Sequence, residues 1–285
     1  MVLQEDVVFE YGLTVEPEQM APDTIYIDGV VRGPVVDNGR RSYSFDHHGQ
    51  GVRMAMLATC QQVRVALELG LDPEGMSVVL NDLDADASLS LWLLRHPDRA
   101  MEQRVRSMVR DVGFVDAHGP VRPVTRLHRV LTHGHDGELN DDVLWADQDH
   151  IEAWYRNGDE ALPEPEPYMV APAFGLTRDG ELVEFDAVES FAALYDRDVV
   201  AGVVCPEAPE DTLGFTVAKR SEFVRYDIEQ FLNRMNQLEP GWGGASTIGG
   251  APRREGGRRS ELSVTDVRDV FVDVGGQSVP VGKGR

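Results

Sequence analysis

The sequence predicts an α/β protein with a mainly parallel sheet and helices on both faces, followed by a smaller α+β C-terminal domain. Three observations predict it. Short β-branched runs that end on aspartate alternate with segments of helical period over residues 23–119, the pattern of βαβ units. An acidic, proline-rich stretch without period then interrupts the chain at 157–174. Finally, 285 residues with 42% hydrophobic and 27% charged side chains suffice for a sizeable core, in one large domain or two ordinary ones.

The elements follow in order. "DTIYID" ends at Asp28 and reads as a buried strand, as does "MSVVLND" ending near Asp82; "VGFVDA" ending near Asp116 reads as a third. Between the first two, "RMAMLATCQQVRVALEL" (53–69) has helical period and is closed by Gly70. "ASLSLWLLR" (87–95) and "RAMEQRVRSMV" (99–109) are further helices, separated at Pro97. The four prolines of 157–174 mark a stiff linker at about 157–172, between a first domain over 1–160 and a second over 173–285. In the second, "VVAGVV" and "TLGFTVA" are strand-like, 221–238 reads as a helix, and "SVTD" (263–266) has capping-box spacing before a last short helix.

Charge excludes some functions. A net charge of -22 and a pI near 4.6 oppose general affinity for a phosphate backbone. Cys60 and Cys205, far apart and outside any CxxC spacing, exclude a thiolate zinc cluster and point to a reducing compartment. The acidic start "MVLQEDVVFEYGL" lacks a secretory pattern, and no apolar run approaches the roughly 18 to 20 residues that span a bilayer. The expectation is a soluble, cytoplasmic protein without membrane association.

Chemistry gathers at the expected carboxyl ends of the strands, where open parallel sheets bind ligands. Asp28, the run "NDLDADAS" (81–88) with Asp84 and Asp86, and "DAHG" (116–119) with Asp116 and His118 lie there, and Asp46-His47-His48 forms a fourth group. Hard carboxylate oxygens with imidazole suit divalent metals used on phosphate, and two ions about 3.5–4 Å apart need four to six such ligands. Each group also has an ordinary reading: turn former for Asp28, N-cap for the aspartate run, solvated loop for the histidines. "THGHDGELNDD" (132–142) reads as an exposed acidic loop.

Taken together, "SFDHH", the helix "ATCQQVRVAL", "LDADASLSLWLL" and "FVDAHG" resemble the motifs of the DHH phosphoesterase superfamily. The resemblance covers roughly 23–119 and, more weakly, 221–272, where "GWGGASTIGGAPRR" is similar to the family's C-terminal glycine-rich substrate motif. It implies hydrolysis of a phosphodiester or phosphoanhydride bond with two Mn²⁺ ions; Mg²⁺ and Zn²⁺ remain alternatives. It also implies Asp28, His47, Asp84, Asp86 and Asp116 as metal ligands, with His118 standing in for an absent motif histidine. Asp46 would orient its neighbours, and His48 would contact the scissile phosphate. The motif order departs from the family's: Asp-x-Asp normally precedes the triplet, with a histidine four residues before it, where this chain has Leu80. Two arrangements stay open. Asp84 and Asp86 keep their usual role in a rearranged chain, or the first motif is missing and Asp84 occupies the place of the late aspartate.

On the substrate side, Gly243, Gly244, Gly249 and Gly250 would let backbone amides approach phosphate, Arg253 and Arg254 (with Arg258 and Arg259) would grip it, and Trp242 would stack on a base. The alternative is a Trp242 packed between domains and a solvated "RREGGRR" loop. Four arginines are too few for a long nucleic-acid track, so the expected substrate is a dinucleotide, short oligonucleotide, nucleotide-like ester or polyphosphate. A homodimer, a catalytically silent binding protein on the same fold, and a metal enzyme for a non-phosphate substrate remain alternatives.

Overall fold

A computed structural model describes residues 6–48, 55–119, 124–133, 140–165, 170–252, 254 and 257–278, with backbone only at 132, 133, 277 and 278. The described residues of Met1–Gly119 and Val124–Pro167 form one compact unit and those of Tyr168–Arg285 a second. The division falls inside the proline-rich stretch.

The first unit holds strands β1 (Val7–Phe9), β2 (Thr24–Ile27), β3 (Val35–Asp37) and β4 (Ser42–Phe45), helix α1 (Thr59–Glu68) and strand β5 (Ser77–Leu80). Helices α2 (Ala85–Arg95), α3 (Gln103–His118), α4 (Arg126–His133) and α5 (Asp141–Asn157) follow. The strands form one sheet in the order β1-β5-β2-β4-β3, parallel except for β3 against β4. Every residue of β2 is buried, which explains why "TIYI" shows no alternation.

Alternate residues of the sheet face two different layers. Ile25, Ile27, Phe45, Val78 and Leu80 pack against helical residues such as Val63, Trp92, Val109 and Ile151. Tyr26 and Val79, on the other side, pack with Met20, Val30 and Val31, from segments outside the helices labelled above, and with the partly buried Leu13, Val15 and Val35. Connecting segments and the edge strand thus cover the face where a second helical layer was expected. Helix α2 is buried from Ala85 to Leu94, as expected for a central helix apolar on most sides. Its serines are satisfied locally: Ser88 Oγ donates to Asp147 Oδ2 (2.7 Å) and Ser90 Oγ to the Asp86 carbonyl (2.7 Å).

"VGFVDA" is a correction: it is the last part of α3, not a strand. Val105, Met108, Val109 and Val112 recur at helical spacing and are buried, so the period established upstream continues through the β-branched residues. Gly113 lets α3 approach α1 closely, since a Cβ there would lie 2.7 Å from the Gln61 side chain and 3.1 Å from Ala58 Cβ. The helix expected over 99–109 accordingly begins later and runs further.

The second unit is antiparallel. It comprises β6 (Ala171–Thr177), β7 (Leu182–Val188), α6 (Phe191–Tyr195), β8 (Val199–Val204), the short pair β9 (Glu207–Ala208) and β10 (Thr212–Leu213), and β11 (Thr216–Lys219). Helix α7 (Ile228–Leu238), β12 (Gly243–Gly244), β13 (Ile248–Gly250) and α8 (Val264–Ser278) complete it. Its main sheet runs β12-β13-β11-β8-β6-β7. The molecule is therefore mixed α/β, one sheet mostly parallel and the other antiparallel. Helices α7 and α8 supply Phe231, Met235, Val267 and Phe271 to a core shared with Phe215 and Val217. The helix expected over 221–238 starts only after Asp227, whose carboxylate caps Gln230 N–H (2.9 Å). Ser263 and Asp266 form the expected reciprocal cap of α8, at 3.1 and 3.2 Å between side chains and amides. Among the described residues no helix is long and apolar enough to cross a membrane.

Candidate metal centre

Three adjacent parallel strands deliver the acidic and histidine residues to one edge. Ile27 of β2 is in register with Phe45 of β4, so Asp28 and Asp46 leave the sheet side by side, and the Asp28 amide still donates to the Phe45 carbonyl (2.9 Å). On the other side of β2, β5 leads through Asp84 into the first turn of α2, which carries Asp86. Asp28 adopts φ 55°, and Gly29 follows at φ 85°. A non-glycine residue in the left-handed region is held there against a local cost of roughly 1 kcal/mol or more. The last turn of α3 adds Asp116 from a third direction.

His47 is the hub. Its Nε2 lies 2.9 Å from Asp116 Oδ2 and 3.6 Å from Asp28 Oδ1, with the side chain 1% exposed. That nitrogen is buried and makes no hydrogen bond of acceptable geometry to a described residue. Two groups of potential ligands share His47, Asp28–His47–His48 and His47–Asp86–Asp116, each with its ligand atoms within 4.8 Å of one another. Nε2 has one lone pair and serves one ion. A second ion beside it would depend on carboxylate oxygens.

Asp46 has another task. Its Oδ2 accepts Gly33 N–H (2.6 Å), and its Oδ1 accepts the His48 amide (2.8 Å) and meets His48 Nδ1 at 2.9 Å. Burial alone would raise this carboxyl, but the hydrogen bonds from His48 and Gly33 outweigh it and hold Asp46 below the usual carboxylate range. An ionised Asp46 beside Nδ1 favours the His48 tautomer that carries its proton there, on a ring whose side chain is 53% exposed. His48 therefore suits contact with a substrate better than a buried ligand position.

The remaining acids press on one another. Burial, then Asp84, Asp86 and Asp116, push Asp28 well above its usual range; burial, then Asp116 and Asp86, do the same to Asp84. Burial, then Asp116, pushes Asp86 up to about 6. A divalent cation reverses this balance, because it favours the ionised form of every oxygen it touches.

Asp84 is the N-cap of α2, accepting Ala87 N–H (2.8 Å), and belongs to neither ligand group although its charge reaches Asp28. His118 likewise belongs to neither group and instead packs on the Phe114 ring at 4.7 Å. Two residues apart on a helix differ by about 200°, so α3 cannot present both Asp116 and His118 to one point. Leu80, where the resemblance would have placed a histidine, is fully buried core.

Sequence reasoning missed the first turn of α1. Thr59 Oγ1 donates to Asp28 Oδ1 (3.1 Å), Thr59 N–H to Asp86 Oδ2 (2.7 Å) and Cys60 N–H to Asp86 Oδ1 (2.9 Å). The available signal was Ala58, which has no side-chain oxygen to cap its own helix.

In the second unit the expected substrate residues have structural duties. Trp242 is buried in that unit's own core, stacked on Phe215 at 5.8 Å, with Nε1 donating to Glu239 Oε2 (3.0 Å). This corrects the reading of Trp242 as a free stacking platform. Gly243 and Gly244 pair with Gly250 and Gly249 as adjacent strands. A Cβ on Gly244 would lie 2.3 Å from Gly249 Cα, and one on Gly249 would lie 2.8 Å from Leu232 Cδ1. These glycines thus permit strands and helix to approach one another. Arg254 bridges Glu239 (2.7 Å) and Glu261 (3.2 Å), and Arg258 bridges Glu261 (2.8 Å) and Glu210 (3.1 Å). Arg253, and residues 134–139 of the acidic loop, lie outside the described residues.

Comparison of the chain with protein-family models, with curated proteins and with solved structures finds no match. The functional reading therefore rests on the residues of the site.

Proposed function

We propose that this chain is a divalent-metal-dependent phosphoesterase of the DHH type, cleaving a phosphodiester or phosphoanhydride bond in a small or short substrate. The observation that carries the reading is the buried Nε2 of His47, facing Asp28 and Asp116, with Asp86 in the same group of potential ligands. Three carboxylates and one imidazole fit Mn²⁺, with Mg²⁺ or Zn²⁺ as substitutes. Such an ion supplies Lewis-acid charge that eases deprotonation of water and neutralises phosphoryl oxygens. Asp46 holds the His48 imidazole in one tautomer, and His48, at the exposed rim, meets the phosphate. The net charge of -22 and the intramolecular ion pairs of Arg254 and Arg258 support a small substrate over a long nucleic acid.

The test is metal analysis of protein purified without chelator, then turnover with bis-p-nitrophenyl phosphate, short oligonucleotides, cyclic dinucleotides and pyrophosphate. Bound or activating Mn²⁺ together with turnover that collapses in His48→Ala is the expected result. No affinity for Mn²⁺, Mg²⁺ or Zn²⁺ refutes the proposal. A second reading, a metal-binding protein without hydrolytic activity, is favoured by Leu80 in the core where the family has a histidine. Metal binding without turnover on any of these substrates selects it.

A further inference from the structure

We propose that Thr59 is the positioning residue that locks the two ligand groups of this site together, an inference that rests on the metal-binding reading above. Asp28 belongs to one group and Asp86 to the other. Thr59 hydrogen-bonds to both, through its hydroxyl to Asp28 and its amide to Asp86. It is fully buried, so water does not compete for these contacts.

The two bonds differ in what a substitution removes. The amide bond is part of a cap supplied from a distance: Asp86, 27 residues further along the chain, accepts the amides of Thr59 and Cys60 where Ala58 offers no side-chain acceptor. This cap survives any side-chain change at 59 that keeps the helix. The hydroxyl bond fixes the carboxylate of Asp28, whose left-handed backbone follows the end of β2 and leaves its side-chain torsion as the remaining freedom. With Oδ1 accepting from Thr59, the carboxylate plane is set relative to Asp86 through a single rigid helical turn. Partners of this kind behind metal ligands typically change affinity by about 10- to 100-fold when removed.

Thr59→Val keeps shape and β-branching and deletes the hydroxyl; Thr59→Ser keeps the hydroxyl. The experiment is calorimetric titration of metal-stripped protein with Mn²⁺, read beside the melting temperature of each metal-free protein. The expected result is affinity about tenfold weaker in Thr59→Val, with Thr59→Ser close to wild type. Equal affinity in all three overturns the proposal, as does equal weakening in Val and Ser, because the hydroxyl is then not the agent. A lowered melting temperature with unchanged affinity assigns Thr59 a purely structural role and overturns it too. If Thr59→Val does not fold, Thr59→Ala is read in its place by the same criteria. Wild-type protein that takes up no Mn²⁺ removes the metal reading itself, an outcome separate from one in which only the variants fail to differ.

Discussion

Replacing Asp86 by asparagine should change stability with opposite consequences at the two ends of the pH range. Asp86 is 1% exposed and accepts two backbone amides, from Thr59 and Cys60. Asparagine retains one acceptor oxygen, so one buried N–H loses its partner at about 1–3 kcal/mol. Against this stands the charge. A carboxyl moved from 3.8 in the unfolded chain to about 6 in the folded one binds more protons when folded between those values, so stability falls as pH rises through that window. The fall amounts to about 3 kcal/mol in all, of which about 2 kcal/mol lies between pH 4.5 and 8. The variant lacks that fall. Metal-free Asp86→Asn should be less stable than wild type at pH 4.5 and should recover about 2 kcal/mol relative to it at pH 8, a relative shift in melting temperature of about 4–8 °C. Urea or thermal unfolding of chelator-treated proteins at both pH values provides the assay. Saturating Mn²⁺ should put wild type ahead at pH 8, since a ligand at a hundred times its Kd adds about 2.7 kcal/mol to the protein that binds it. Parallel pH profiles of the two metal-free proteins would refute the reasoning, because burial and the neighbouring Asp116 would then not be raising the Asp86 carboxyl.

His48→Ala should lower kcat by about 10²-fold or more while changing Mn²⁺ affinity about twofold at most, measured by steady-state kinetics beside calorimetry. Asp28→Ala combined with Asp116→Ala, one residue from each ligand group, should abolish metal binding and turnover; full activity in that double variant contradicts the ligand assignment. Trp242→Phe should destabilise the second unit by about 1–3 kcal/mol through the lost Glu239 hydrogen bond and core packing, with KM unchanged in substrate titrations. A raised KM at unchanged stability would restore its role as a stacking platform. Gly113→Ala should cost about 1–3 kcal/mol in unfolding experiments, because the new methyl meets Gln61 and Ala58 across the α1–α3 contact.

The sequence by itself determined two of the strand ends that carry the site. Asp28 and the aspartate run of 81–88 lie just beyond runs of largely buried residues, and the alternation of strand and helix implies parallel neighbours, whose ends share one edge. These are local facts: a strand's identity and its last residue depend on a handful of neighbours along the chain. The tertiary structure decided everything that depends on which surfaces meet. "VGFVDA" reads as a strand within its own window, and only the helix begun at Gln103 carries it onward, bringing Asp116 to His47 and leaving His118 against Phe114. Trp242 and the paired glycines read equally well as a ligand-binding loop until Phe215 and Leu232 are placed against them. Thr59, the first residue of a helix whose own N-cap residue, Ala58, has no side-chain acceptor, shows no chemistry along the chain. It acquires its place because Asp28 and Asp86, 31 and 27 residues away, fold against the same turn, and such a distance in sequence leaves no local trace.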